Sequence, residues 1–167
     1  LTLFLAACAG FAYIQTFGTL DPENFNSPVG VVADSEGNVY VADMGNNLVK
    51  KYDAAGNLLF SFGGYGTETG KLNLPGDIDI DADGNIYVPE LGNKRIQKFS
   101  PDGEFLAVYG EGELASTRSV EIADNGDIYS MDEFNHRVVQ LSQDGTVIRT
   151  FGSMGVGEGQ FFFPNSL

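Results

Sequence analysis

Four carboxylates carry the sharpest chemistry in this sequence. Asp79-x-Asp81-x-Asp83-Gly84-x5-Glu90 fits the calcium-loop pattern of an EF-hand letter for letter. Such spacing suits a hard cation, which is held by oxygen ligands converging from one short loop. The flanking residues alternate apolar and polar, however, which is the period of a strand and not of the helices an EF-hand needs. Glu90 then falls at the far end of a strand, too distant to close the loop. The expectation is an Asx-turn holding a hairpin. Two acid–base pairs recur across short loops, Glu90/Arg95 and Asp132/Arg137, and the corresponding Asp43/Leu48 lacks the base. Strand ends that meet there would join them as hydrogen-bonded ion pairs. His136 is the only histidine and Cys8 the only cysteine. Zinc needs about three or four such ligands, so neither points to zinc, and no internal disulfide can form. No Ser-His-Asp arrangement or phosphate loop is readable.

The elements that position these residues are short strands. Between residues 75 and 110 the chain reads PGDIDIDADGNIYVPELGNKRIQKFSPDGEFLAVYG. This predicts four strands, at 77–80, 86–88, 95–99 and 105–109, joined by turns rich in Gly, Asn and Asp. One such unit has two apolar faces and cannot cover both by itself. The chain supplies neighbours of the same kind. Gly37, Asn38, Tyr40, Val41, Asn46, Gly56 and Gly63 recur as Gly84, Asn85, Tyr87, Val88, Asn93, Gly103 and Gly110, each pair 47 positions apart. Gly126, Tyr129, Asn135, Arg137, Gly145 and Gly152 repeat the central copy at a spacing of 42. The full copies are 28–63, 75–110 and 117–152, and partial copies stand at 11–18 and 161–167. Fixed spacing with variable connectors marks a repeat architecture.

The stretches PVGVVADSEGNVYVADMGNN, GNIYVPELGNKRIQKF and GDIYSMDEFNHRVVQL, with the connector FGSMGVGEGQFFFP, resemble the NHL repeat. The likeness covers nearly everything from Phe11 onward. Trp-Asp repeats have similar spacing, but this chain has no tryptophan. The resemblance implies an all-β fold: a β-propeller of four-stranded blades, most often six-bladed. Three full blades and two partial ones do not close a ring, since propellers need at least ~4 blades. The chain is therefore read as a fragment.

Residues 1–10 are apolar and end in small residues. Leu5-Ala6-Ala7-Cys8 resembles a bacterial lipobox, with Cys8 as the lipidation site. The protein is accordingly expected to be exported, and to be periplasmic, at the cell surface or membrane-anchored. An ordinary signal peptide or a buried first strand are the alternatives. The formal charge of −14, from 23 acidic and 9 basic residues, argues against a nucleic-acid partner, because phosphates require a basic face. It also disfavours adhesion to anionic membranes, leaving a lipid anchor at Cys8 as the only route to a bilayer.

Two faces remain for function. First strands of propeller blades lie nearest the central channel, where Asp77 and Asp79 align with Ser119 and Glu121. Asp77, Asp79 and Glu121 either hold a hard cation such as Ca2+ or simply face channel water. At the opposite ends of the strands, the loops vary from copy to copy while the hairpin turns stay uniform. This loop face is the expected binding surface, as variable loops on a rigid scaffold carry recognition. Its candidates are Asp43, Met44 and Asn46, then Glu90, Leu91, Asn93 and Arg95, and finally Asp132, Phe134, Asn135, His136 and Arg137. Met44, Leu91 and Phe134 are read as equivalent positions, a contact patch ringed by Asp43, Glu90 and Asp132. The leading expectation is a non-catalytic scaffold that binds a protein, peptide or glycan and needs no cofactor. A metal-dependent propeller enzyme, lactonase- or amidating-lyase-like, is the alternative.

Overall fold

The structure, a computed structural model, describes residues 24–167. Cys8, the lipobox and the partial copy at 11–18 lie outside the described residues. Among the described residues, twelve strands form three separate antiparallel sheets, each a four-stranded meander in chain order. The first sheet holds β1 (Pro28–Ala33), β2 (Val39–Asp43), β3 (Leu48–Tyr52) and β4 (Leu58–Gly63). The second holds β5 (Asp79–Ile80), β6 (Ile86–Glu90), β7 (Arg95–Phe99) and β8 (Phe105–Tyr109). The third holds β9 (Thr117–Ile122), β10 (Ile128–Asp132), β11 (Arg137–Leu141) and β12 (Val147–Phe151). These are propeller-type blades.

The period of two explains the packing. In β6, Ile86 and Val88 face the first sheet, in a cluster with Tyr40, Ala42, Val49 and Phe99. Tyr87 points the other way, toward Val120, Ile128, Val139 and Leu141 of the third sheet. Both faces are thus covered, and every residue of β6 is buried. An apolar residue of each connector plugs the gap between blades: Leu72, fully buried, in the first, and Leu114 in the second. Each plug rests on the glycine that ends the preceding blade. A Cβ on Gly63 would lie 2.6 Å from Leu72 Cδ1, and that glycine also holds φ at 101°.

One strand is shorter than its sequence suggests. Residues 77–80 read as a strand, but only Asp79 and Ile80 pair with β6. The Asp77 N–H instead donates to the Arg118 carbonyl at 2.8 Å, so Asp77 bridges to Ser119 in the next blade. The innermost strands approach so closely that glycine is needed there. A Cβ on Gly76 would lie 2.1 Å from the Arg118 carbonyl oxygen.

Candidate functional site

Alternating strand direction places the β2–β3 loops and the blade connectors at one end of the sheets. The β1–β2 and β3–β4 turns lie at the other end, and corresponding turns in the second and third blades follow suit.

On the loop face, the recurrent carboxylates are not available to a ligand. Asp43, Glu90 and Asp132 are each 0% exposed. Each closes the connector that leads into its own blade. Asp43 Oδ1 accepts from the Asn26 N–H at 2.7 Å, Glu90 Oε2 from the Asn73 N–H at 2.9 Å, and Asp132 Oδ1 from the Ala115 N–H at 3.0 Å. In all three the donor precedes the acid by 17 positions. The same acids accept from Asn46, Asn93 and Asn135, three positions on, at 2.8, 2.6 and 2.8 Å. Glu90 also takes Arg95 Nε at 2.8 Å and Gln97 Nε2 at 2.7 Å, and Asp132 takes Arg137 Nε at 3.0 Å. The expected ion pairs therefore form. Where Leu48 leaves the first blade without a base, Lys50, two residues along the same strand face, places Nζ 3.2 Å from Asp43 Oδ2. These acids do not ring an exposed patch, because desolvated carboxylates must be surrounded by donors.

The apolar positions also need correction. The first blade's loop is a 3-10 turn over Met44–Asn46 and the third blade's is one over Glu133–Asn135. Glu133 therefore matches Met44 and Leu91, while Phe134 stands where the other blades have Gly45 and Gly92. Those glycines are required by their neighbours: a Cβ would fall 2.5 Å from Asn26 Cγ and 2.3 Å from Asn73 Cγ, respectively. In the third blade the connector residue is Ala115, too short to oppose a Cβ there, and Phe134 stands 63% exposed. Met44 and Leu91 are only half-buried.

His136 is buried and structural in its contacts. It adopts φ 52°, as Asn47 and Lys94 adopt 57° and 56°. Its Nδ1 accepts the Phe163 N–H at 3.1 Å, as Asn47 Oδ1 accepts the Leu74 N–H at 2.8 Å. Phe163 packs edge-on to the imidazole, with ring centroids 4.8 Å apart. The connector after the third blade thus repeats the first connector. Its parallel bridge Met154–Phe161 matches Tyr65–Leu72.

Near the axis, Asp77, Asp79 and Glu121 feel one another. Burial first, then the charge of Asp79, raises the Asp77 carboxyl above its ordinary value. Burial, then Asp79 and Asp77, does the same to Glu121. Asp79 Oδ2 is occupied by the Ile122 N–H at 2.7 Å. Among the described residues, no group of three or more His, Cys, Asp or Glu side chains is arranged to hold a metal ion.

The calcium-loop pattern resolves as an Asx-turn. Asp81 Oδ1 accepts the Asp83 and Asn85 N–H groups at 3.0 and 2.9 Å. Asp34 does the same for Glu36 and Asn38. Sequence reasoning passed over what lies beside these turns, a cleft of about 440 Å3 between the second and third blades, lined by Tyr87, Lys98, Ile122 and Gln143. Its signal was present: Tyr40 and Lys51 recur as Tyr87 and Lys98.

The NHL repeat family model matches residues 25–52, the first blade's inlet and its first three strands. No curated protein matches the sequence. Among solved structures, the chain is similar to a streptogramin B lyase, with 21% identity and a TM-score of 0.62, covering 81% of this chain and 43% of that one. It is also similar to a catalytically inactive virginiamycin B lyase from Staphylococcus aureus with quinupristin: 16% identity, TM-score 0.63, 83% and 44% covered. A nidogen/laminin complex gives 20% identity and TM-score 0.61, with 75% and 47% covered. The chain therefore spans less than half the length of these structures. At such identities the shared property is the fold.

Proposed function

We propose that the chain is the binding portion of an NHL-type propeller in an exported or lipid-anchored protein. It recognises a peptide, protein or glycan on its loop face and does not transform it. One observation carries the reading: on that face the recurrent charged groups are spent inside the blades, while large apolar side chains stand in solvent. Tyr65 is 74% exposed, Phe134 63% and Met154 62%. Scattered apolar residues mean little, but several of them on one face of a rigid scaffold suit recognition. Ligand-bound and partner-bound propellers both occur among the structural neighbours, in keeping with a fold that hosts many functions.

Peptide and glycan arrays probed with the protein provide the test. Saturable binding should weaken about tenfold or more in Phe134→Ser and Tyr65→Ser, at a stability cost within about 0.5 kcal/mol for exposed positions. Retained binding in both variants would move the site elsewhere. Chemical conversion of a bound ligand, dependent on Ca2+ and lost in Asp79→Asn, would replace this reading with the lactonase- or lyase-like enzyme. Acyl-modified Cys8 in the mature protein, seen by mass spectrometry, would support the anchor.

A further inference from the structure

The cleft between the second and third blades lacks a contact that closes the one between the first and second. Between the first and second blades, Lys51 Nζ and the Tyr40 hydroxyl both donate to the Pro101 carbonyl oxygen, each at 3.2 Å. That oxygen belongs to the Ser100–Gly103 turn of the adjoining blade, which seats there as a built-in ligand. The equivalent pair in the second blade is Lys98 and Tyr87, and the equivalent turn in the third blade carries Gln143 in place of Pro101. Gln143 turns away, its Nε2 donating to the Asn125 carbonyl at 2.8 Å. Lys98 and Tyr87 fall back on their own blade instead: Lys98 Nζ lies 2.9 Å from Asp81 Oδ2, and the Tyr87 hydroxyl donates to the same oxygen at 3.3 Å. The cleft where the latch is not made is about 440 Å3, against about 310 Å3 for the one beside the made latch.

We propose that this cleft is a second binding site, which receives a turn of a partner polypeptide by its exposed backbone carbonyl. The incoming oxygen takes the place that Pro101 occupies one blade earlier. Lys98 can serve it without abandoning Asp81, since an ammonium group has three protons to donate. Its charge is secure: burial acts to lower its pKa, but the Tyr87 hydroxyl and the Asp81 carboxylate outweigh it and hold the value above normal. A neutral carbonyl is favoured over a carboxylate, because Asp81 already neutralises Lys98 and Asp83 and Asp124 line the opening. The same two acids favour basic residues beside the turn. The site is on the turn face, opposite Phe134, and does not depend on the loop-face proposal.

The test uses the acetylated, disulfide-closed peptide Cys-Lys-Ser-Pro-Asp-Gly-Lys-Cys, titrated into the 15N-labelled protein. Shifts should saturate at Lys98, Ile122 and Asn125, with a dissociation constant of about 1 mM or tighter. Lys98→Met should weaken binding about tenfold. Lys51→Met and Phe134→Ser should leave it unchanged. Tyr87→Phe keeps the buried ring and should weaken binding about threefold, so it decides the matter if Lys98→Met does not fold. No saturable shift up to about 5 mM peptide, or equal affinity in the Lys98 and Tyr87 variants, overturns the proposal.

Discussion

Glu90 is the residue on which the central blade turns. It is fully buried and accepts from Asn73, Asn93, Arg95 and Gln97. Glu90→Gln replaces an acceptor oxygen by a donor and leaves the Arg95 guanidinium, itself 4% exposed, without its counter-charge. Breaking a buried pair from one side costs about 3–5 kcal/mol. Urea denaturation should show a loss of that size for Glu90→Gln, and a smaller one for Asp132→Asn, whose Arg137 is partly solvated with a side chain 29% exposed. A loss below about 1 kcal/mol in Glu90→Gln would mean that water replaces the pair at little expense. The sequence shows these acids plainly but hides their role. One donor to each is a backbone N–H group 17 positions earlier, and a backbone donor leaves no mark on residue type. The recurrence of acid and Asn in all three copies was the available clue, since a recognition surface has reason to vary.

At the scale of the element, the strands and hairpins were legible because their period and turn chemistry are local. Asp81, Gly84 and Asn85 specify their turn by themselves, and the structure builds it with those residues. The spacing of 42 by itself aligns Glu133 with Leu91 and Phe134 with Gly92. What the sequence hides is why a large side chain is tolerated at a glycine position, because packing between a loop and a connector is not local. The two positions are reciprocal: Gly92 stands opposite Asn73, and where the connector has Ala115 the loop has Phe134. Gly92→Ala should cost about 1–3 kcal/mol through its clash with the Asn73 side chain. Adding Asn73→Ala should recover most of that loss, a coupling of about 1 kcal/mol or more in a double-mutant cycle. Strict additivity would show that the glycine answers to backbone conformation alone.

For the whole molecule, the acid cluster near the axis opposes folding at neutral pH. Asp77 and Glu121 have raised pKa values, so the folded state binds their protons more readily than the unfolded chain does. Their penalty is complete above the raised values, shrinks as pH falls through them, and is gone below the unfolded value of about 4. Asp77→Asn with Glu121→Gln should therefore raise Tm at pH 7 and leave it unchanged near pH 3.5. Asp81 works in the opposite sense. Burial pushes its carboxyl up, but hydrogen bonds from Asn85 and Lys98 prevail and hold it down. Its contribution is present above about pH 4 and is lost below, so Asp81→Asn should destabilise at pH 7 and progressively less in acid. Thermal melts across pH separate the two; a Tm gain in the axial variant that persists at pH 3.5 would assign the effect to packing.

The bond between each connector N–H and the carboxylate 17 positions later has a bearing on how such a chain is inherited. Donor and acceptor lie within one unit of connector and following blade, so a segment copied from one connector to the next carries its own fastener. Duplication or loss of a unit leaves every remaining clasp intact, and only the faces between neighbours must be fitted afresh. Ring size can then change over descent by whole units, while each unit keeps the means of its own attachment.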